Sequence, residues 1–148
     1  PNTNIKRADF LLMLMRIYGI DADEKAGDNF EDAGSTYYTD MLGTAKQLGI
    51  VKGVGGNKFD PEATILRQDM LVMLYRVMDT LDRLPKVPEG GKTVESFSDA
   101  GEISDYAYQT LKMFVQSGLI KGNGNRLTPK ATTIRAEAAQ ILFNILNE

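Results

Sequence analysis

Apolar residues recur every three or four positions in five stretches of the chain, a spacing that puts them on one face of a helix. In the most regular stretch, residues 67–81, this face holds Met70, Leu71, Leu74, Val77, Met78 and Leu81. The same spacing predicts helices over residues 7–18, 37–48, 106–117 and 135–146. The apolar pieces left between them are too short to form a sheet. The pattern therefore predicts an all-α fold.

Glycine-rich turns separate the predicted helices. Residues 49–53 read Gly-Ile-Val-Lys-Gly and residues 118–122 read Gly-Leu-Ile-Lys-Gly, so the second turn repeats the first. The first glycine of each turn can end the preceding helix in a left-handed conformation, and the second permits another positive φ. The two apolar residues between them are expected to enter the core. A longer connection, residues 82–96, contains two prolines and two glycines and is expected on the surface.

A second pattern occurs three times, before three of the predicted helices. It reads proline, arginine and acid, at Pro1–Arg7–Asp9, Pro61–Arg67–Asp69 and Pro129–Arg135–Glu137. A Phe-x-Asp sequence precedes two of the copies, at Phe30–Asp32 and Phe97–Asp99. Such repetition indicates an architecture of repeated structural units. We expect a single domain, residues 1–148, made of helix–loop–helix repeats: the second half of repeat 1 (1–20), repeat 2 (30–83) and repeat 3 (97–148).

Composition narrows the functional classes. The net charge of −3 over 148 residues predicts no affinity for nucleic acid, because phosphate binding needs a basic surface. The longest apolar run, residues 10–15, is far too short to span a membrane. The absence of cysteine and histidine excludes thiolate and imidazole metal ligands, cysteine nucleophiles and histidine bases. Proline is an improbable native first residue, so we expect the chain to be a piece of a longer protein.

These elements, in this order, resemble the S-layer homology family. Its repeat begins Phe-x-Asp, continues through an aromatic residue and a Gly-Ile-x-x-Gly turn, and reaches Phe-x-Pro and then Ile-Thr-Arg-Ala-Glu. One match consists of Phe30, Asp32, Tyr37, Gly49, Ile50, Gly53, Phe59, Pro61, Ile65, Arg67 and Asp69. The other consists of Phe97, Asp99, Tyr106, Gly118, Leu119, Gly122, Leu127, Pro129, Arg135 and Glu137. The first copy has only the final part, and the resemblance covers nearly the whole chain.

The resemblance implies an α-helical bundle of three repeats with pseudo-threefold symmetry, here with the first repeat incomplete. It also implies a non-catalytic role outside a bacterial cell, in which the domain tethers an exported protein to the cell surface. The implied ligand is secondary cell-wall polysaccharide, which often carries pyruvate ketals on N-acetylmannosamine. Grooves between neighbouring repeats would bind this glycan, with no cofactor and no metal.

The three arginines of the repeated pattern fit such a ligand. A pyruvate ketal presents a fixed carboxylate, to which a guanidinium can donate two parallel hydrogen bonds. Arg7, Arg67 and Arg135 each begin a predicted helix, where free N–H groups and the helix dipole also favour an anion. The alternative is structural: a cation in the first helical turn opposes the dipole and would survive by pairing with an acid of the next repeat.

Other residues of the repeat complete the predicted glycan site. Gly53 and Gly122 would let the backbone approach a sugar closely, although each is first a turn glycine. Tyr37 and Tyr106 could stack a ring on a pyranose face, and the alternative is burial in the core. Asp32 and Asp99 could accept hydrogen bonds from sugar hydroxyls, and the alternative is that they cap the turn or helix that follows.

The chain departs from the family pattern immediately before each arginine. The family has threonine at this position, whereas this chain has Lys6, Leu66 and Ile134. The capping box that the threonine would form is therefore absent. We expect Asn4, Thr64 and Thr132 to cap the three helices instead.

Other functions remain open. The same helices could form a structural or protein-assembly module that has kept the fold and lost glycan binding. Because the first repeat is incomplete, apolar surface would stay uncovered, and we expect self-association there. An enzyme is the weakest alternative, since glycoside hydrolysis needs two carboxylates across a cleft and no pair of acids stands out. The acidic run at residues 21–25 departs from a calcium loop at its fifth, sixth and twelfth positions, so no metal is predicted.

Overall fold

A computed structural model describes residues 3–147, and these residues form an all-α structure, as predicted. The five α-helices are α1 (Arg7–Ile17), α2 (Thr39–Gln47), α3 (Arg67–Thr80), α4 (Asp105–Gln116) and α5 (Arg135–Leu146). Two short 3₁₀-helices, Val94–Ser96 and Ala100–Glu102, precede α4. Extended pairing within residues 3–147 is limited to isolated bridges. Pro1, which opens the first copy of the proline–arginine–acid pattern, lies outside the described residues.

The helix bounds follow the apolar spacing closely because each helix buries the face that the spacing defines. α3 begins at Arg67 as predicted and ends one residue early, and Leu71, Leu74 and Val77 on its inner face are buried. α2 begins two residues later than predicted. Tyr37 therefore precedes α2 and does not lie in its first turn.

The core lies where helices of neighbouring repeats meet. α2 packs against α1, and α4 packs against α3, so the first helix of one repeat covers the second helix of the repeat before it. α1 also contacts α3 and α5. Phe10, Phe59 and Phe114 are the largest side chains with no exposed surface, and each comes from a different repeat. Burial on this scale is the main force that holds the repeats together.

The segments that precede α1, α3 and α5 lie side by side in the interior. The N–H of Ile5 donates to the carbonyl oxygen of Thr133 over 2.9 Å, and the N–H of Ile65 donates to that of Ile5 over 3.0 Å. Ile5, Ile65 and Thr133 are all fully buried. Thr133 thus places a hydroxyl where the other two segments have isoleucine, and its Oγ1 has no hydrogen-bond partner among the described residues.

The first N–H groups of these three helices are bound by a neighbouring repeat. The N–H of Arg7 donates to the carbonyl of Ala63 (2.8 Å), that of Arg67 to Ala131 (2.9 Å), and that of Arg135 to Thr3 (3.1 Å). No side chain caps any of the three helices, so the predicted caps Asn4, Thr64 and Thr132 are wrong. A helix whose terminal N–H groups already have acceptors needs no side-chain cap. This explains why threonine can be absent before each arginine.

The final helix is covered less than its counterparts. α5 buries only Ala138 and Leu142, and within residues 3–147 its only helix contact is with α1. Phe143 and Leu146 project outward, with 62% and 49% of their surface exposed. No helix within the described residues covers α5 in the way that α4 covers α3. An apolar stripe therefore remains open to solvent.

Candidate functional site

A solvent-open cavity of 520 Å³ lies beside α3. We call it the α3 groove; its wall includes Arg7, residues 51–54, Asp69, Arg76 and Tyr106. These residues come from the start of α1, the first glycine-rich turn, one face of α3, and α4. The groove therefore forms only when parts of all three repeats come together. Its volume is in the range of small-ligand sites.

Arg7 forms the floor of the α3 groove, and its guanidinium is already held by protein groups. Its Nη1 lies 3.2 Å from the Asp69 carboxylate, and its Nε donates to the carbonyl oxygen of Phe59 over 2.9 Å. The same guanidinium lies 4.7 Å from the centre of the Phe59 ring. The pairing of a first-turn arginine with an acid of the next repeat, which was the structural alternative, is confirmed for Arg7. The groove beside it is nevertheless open.

Tyr106 forms one side of the α3 groove and is not a core residue. Its side chain is 59% exposed, so the alternative that placed it in the core is wrong. Its hydroxyl donates to Asp69 and accepts a hydrogen bond from Gln68 over 3.2 Å. Partial burial, followed by the hydrogen bond to Asp69, raises the pKa of Tyr106 to about 12. The phenol thus stays protonated and its ring is fixed at the groove edge.

Gly53 and Gly122 are required by the fold itself. At Gly53, φ is +84°, and an added Cβ would lie 2.3 Å from the carbonyl oxygen of Lys58 and 2.7 Å from the Phe30 ring. At Gly122, φ is +72°, and an added Cβ would lie 2.6 Å from the Phe97 ring. Gly53 lines the α3 groove and Gly122 lines a cavity beside α5. The absence of a side chain therefore lets each turn close on the Phe-x-Asp segment, whatever the ligand.

A second cavity, which we call the α1 groove, repeats part of the α3 groove. It has a volume of 350 Å³ and is lined by Asp9, Arg16, Tyr37 and Arg135 with neighbouring residues of α1. Arg135 pairs with Asp9 at 3.2 Å, and the Tyr37 hydroxyl donates to Asp9 over 2.5 Å. This hydrogen bond, with burial second, raises the pKa of Tyr37 to about 12. Tyr37 is 63% exposed, so for it too the core alternative is wrong. No glycine-rich turn is part of this wall.

A third cavity, the α5 groove, lies beside Arg67 and Gly122 and has a volume of 440 Å³. Asn144 and Asn147 of the C-terminal region line it, and no tyrosine does. Glu137 occupies the sequence position of Asp69 in repeat 3, but it does not border this cavity, and within residues 3–147 it forms no ion pair with Arg67. The three arginines thus all border cavities, while only Arg7 and Arg135 are paired with an acid of another repeat.

Asp32 and Asp99 fix the loop that follows each glycine-rich turn. The carboxylate of Asp32 accepts N–H bonds from Phe59 (2.9 Å) and Asp60 (2.8 Å). Asp99 makes the equivalent bonds to Leu127 (2.9 Å) and Thr128 (2.8 Å). Burial alone would raise the pKa of each carboxyl, but these N–H bonds outweigh it and the pKa lies below its usual value. Neither aspartate borders the three grooves.

Two cations of the α3 groove, Lys52 and Arg76, were not predicted as site residues from the sequence. Arg76 is half-buried and lies outside the apolar spacing of α3, and Lys52 is an exposed residue of the first glycine-rich turn. Both border the groove. The signal for Arg76 was present in the sequence, because Arg16 and Arg76 follow Arg7 and Arg67 at the same distance. The corresponding residue after Arg135 is Asn144.

No helix within residues 3–147 has both the length and the apolar character needed to cross a membrane. No cluster of three or more acids within the same residues has the arrangement of a metal site.

Comparison with known proteins identifies relatives of the chain. The family model for the S-layer homology domain matches residues 29–71 and 96–139, more than half of the sequence. The amylopullulanase of Thermoanaerobacterium thermosulfurigenes is 29% identical over 149 residues, covering 100% of this chain and 8% of that protein. The S-layer protein sap of Bacillus anthracis is 29% identical over 144 residues, covering 96% of this chain and 17% of that protein.

A further relative has the same relation to the chain. The S-layer protein EA1 of Bacillus anthracis is 27% identical over 142 residues, covering 96% of this chain and 16% of that protein. The chain therefore spans less than a fifth of the length of each of these three relatives.

Proposed function

The chain belongs to the S-layer homology family, and from this we propose that it is a non-catalytic module that attaches an exported protein to a bacterial cell surface. The proposed ligand is secondary cell-wall polysaccharide with pyruvylated N-acetylmannosamine. The relatives include S-layer proteins and an enzyme, each much longer than the chain. A part shared by proteins of such different names is more consistent with attachment than with catalysis.

The observation that carries this proposal is the α3 groove. It combines an exposed aromatic ring at Tyr106, close backbone approach at Gly53, and guanidinium charge at Arg7 and Arg76. A pyranose has an apolar face that suits an aromatic ring, and a ketal carboxylate suits a guanidinium. The groove thus offers a partner for each chemical part of the proposed sugar.

The other two grooves each lack one of the features that the α3 groove combines. The α1 groove has Arg135 and Tyr37 without a glycine-rich turn, and the α5 groove has Arg67 and Gly122 without a tyrosine. We propose that glycan binding is strongest in the α3 groove. Asp32 and Asp99 are not part of this proposal, because their carboxylates accept hydrogen bonds from backbone N–H groups and border none of the three grooves.

We also propose a pseudo-threefold arrangement of the repeats within a single domain, residues 1–148. The backbone N–H of Arg7 in repeat 1 donates a hydrogen bond to repeat 2, and that of Arg67 in repeat 2 donates one to repeat 3. The N–H of Arg135 in repeat 3 donates one to repeat 1. This closed order of donors and acceptors is what such an arrangement requires. It supports the expectation that each groove lies between neighbouring repeats.

The proposal is tested by co-sedimentation with purified bacterial sacculi that carry pyruvylated polysaccharide. Tyr106→Ala removes the aromatic wall of the α3 groove, and we expect wall binding to weaken about tenfold, the loss typical of one stacking contact. Tyr37→Ala makes the same change in the α1 groove, where Tyr37 is similarly exposed and holds the equivalent acid, and a smaller loss of wall binding is expected there. Equal binding by Tyr106→Ala and the unchanged chain would contradict the proposal.

A second candidate function, protein assembly, is favoured by the apolar stripe on α5. Phe143 and Leu146 lie one helical turn apart and are exposed on every copy of the chain. Identical apolar stripes are self-complementary across a twofold axis. We therefore propose that two copies associate through α5, and the concentration dependence of the sedimentation coefficient measures this directly.

A further inference from the structure

The α3 groove does not end at Tyr106. A second cavity of 390 Å³ continues beyond it between α3 and α4, and Tyr75, Asp79 and Gln109 form part of its wall. The two cavities share Lys52, Val72, Arg76 and Tyr106. They are therefore two compartments of one trough, with the shared residues at the boundary.

Arg76 is the half-buried cation at this boundary, and its charge is not paired with an acid within residues 3–147. Its side chain is half-buried, yet within residues 3–147 it forms no ion pair and donates no hydrogen bond to another residue. Burial lowers the pKa of Arg76, while the nearby Asp69 carboxylate opposes this effect. Asp69 already accepts hydrogen bonds from Arg7 and Tyr106. The donors of Arg76 are thus free to bind an external anion.

Arg7 is a poorer candidate for the same task. Its side chain is 9% exposed, its charge is offset by Asp69, and its Nε is bound to a backbone carbonyl. A ligand carboxylate at Arg7 would also come close to the Asp69 carboxylate and be repelled by it. Arg7 is better described as a positioning residue that fixes Asp69, and through Asp69 the Tyr106 ring.

Lys52 adds a second positive charge at the boundary. It is exposed, belongs to the same turn as Gly53, and borders both compartments. Within residues 3–147, Asp79 is the one acid that lines the outer compartment. Along α3, Asp79 follows Arg76 by three residues, whereas Asp69 precedes Arg76. An anion held between Arg76 and Lys52 would lie between the two acids, and the charge of the inner one, Asp69, is already offset by its ion pair with Arg7.

We propose that Arg76 and Lys52 bind the anionic group of the ligand at the boundary of a two-compartment trough, which accepts at least two linked sugar units. This proposal rests on the proposed function and adds the residues that recognise the charge and the minimum length of the glycan. Arg16 stands at the position of Arg76 in the α1 groove, where no glycine-rich turn is present, and Asn144 stands there in the α5 groove. One tightly bound charged glycan per chain is therefore the expected stoichiometry.

The charge is tested with two small probes in isothermal titration calorimetry. The charged probe is the methyl glycoside of N-acetylmannosamine with a pyruvate ketal, and the neutral probe is the same sugar with an acetone ketal, in which a methyl group replaces the carboxylate. Arg76→Gln is expected to weaken the charged probe about tenfold or more and the neutral probe less than about twofold. Arg76→Lys should recover part of the loss, because it restores the charge without the planar fork.

Controls separate this role from a structural one. Arg83→Gln removes an exposed arginine that borders none of the three grooves or the outer compartment, and it should leave the affinity for both probes unchanged. Arg76→Gln should not lower the melting temperature, because Arg76 has no protein partner to lose. A loss of affinity that is equal for the charged and neutral probes would overturn the assignment of Arg76 to the carboxylate.

The two compartments are tested with a disaccharide in which a second N-acetylhexosamine is linked to the pyruvylated sugar. It should bind the unchanged chain at least about fivefold more tightly than the charged monosaccharide, because it fills both compartments. Gln109→Trp blocks the outer compartment and should abolish this gain while leaving monosaccharide binding unchanged. Equal affinities for monosaccharide and disaccharide in the unchanged chain would overturn the two-unit site.

The two proposals fail in distinguishable ways. If the unchanged chain binds the charged probe and Arg76→Gln binds it equally well, the anchoring function stands and the role of Arg76 is wrong. If the unchanged chain binds neither probe and no disaccharide, the glycan function itself is wrong.

Discussion

At Asp69, one carboxylate connects three repeats. Asp69 belongs to α3, and its carboxylate forms an ion pair with Arg7 of α1 at 3.2 Å. The same carboxylate accepts a hydrogen bond from the Tyr106 hydroxyl of α4. Asp9 does the same with Arg135 and Tyr37. The repeated spacing of arginine and acid in the sequence thus encodes contacts between repeats. This is why the arginines and the acids could both be selected from sequence, whereas the hydrogen bonds that Tyr37 and Tyr106 donate to those acids could not.

Thr133 is the residue whose environment least suits its chemistry. It is fully buried, and its hydroxyl has no partner among the described residues, in a position where the other copies have Ile5 and Ile65. Thr133→Val keeps the shape and removes the unpaired hydroxyl, so we expect the free energy of unfolding to rise by about 1 kcal/mol. Chemical denaturation monitored by circular dichroism measures this change.

Thr44 provides the matched control for that substitution. It is buried too, but its Oγ1 accepts the N–H of Asp23 over 2.8 Å and donates to the carbonyl of Asp40 over 2.9 Å. Thr44→Val should therefore destabilise the chain by about 1 kcal/mol or more, because it leaves the Asp23 N–H unpaired. Destabilisation by Thr133→Val of similar size would mean that its hydroxyl is satisfied in solution.

At the scale of the helices, periodicity predicted almost everything except how the helices begin. Apolar spacing is a local property, and the bounds of α1, α3 and α5 followed from it within one residue. The acceptors for their first N–H groups are carbonyls of Ala63, Ala131 and Thr3, which are distant in sequence. Caps predicted from sequence are polar residues close to each helix start, so the distant carbonyl acceptors could not be predicted and the proposed caps were wrong.

α5 has the same sequence pattern as α1 and α3 but a different environment, and this gives an element-scale prediction. Phe143→Gln removes the largest exposed side chain of its apolar stripe. We expect self-association to weaken at least about fivefold, since the buried aromatic surface of an interface carries much of its stability. Sedimentation velocity over a range of concentrations measures the dissociation constant.

Val87→Gln is the control for the α5 substitution. Val87 is also an exposed apolar residue, with 42% of its surface accessible, but it lies in the connection between α3 and α4. Its replacement should leave self-association unchanged. Equal effects of both substitutions, or a monomer at every concentration in the unchanged chain, would remove α5 as an assembly surface.

At the scale of the whole molecule, the site was predicted in part. Arg7, Gly53 and Tyr106 could be predicted for the α3 groove, because all three occupy repeated positions. Arg76 was not predicted, although Arg16 repeats that position, because a cation on the polar face of a helix is ordinary by itself. Only the folded chain brings this face of α3 against α4 and the turn at Lys52, which gives Arg76 its half-buried setting.

The whole molecule is proposed to recognise a carboxylate on a wall sugar, and one measurement tests this most directly. Sacculi from a single preparation are divided, and the pyruvate ketals of one half are removed by mild acid. Co-sedimentation of the unchanged chain with each half then gives two affinities. We predict binding to the pyruvylated half and at least about tenfold weaker binding to the depyruvylated half, since a charge-assisted pair is lost. Equal binding to both halves would contradict the account.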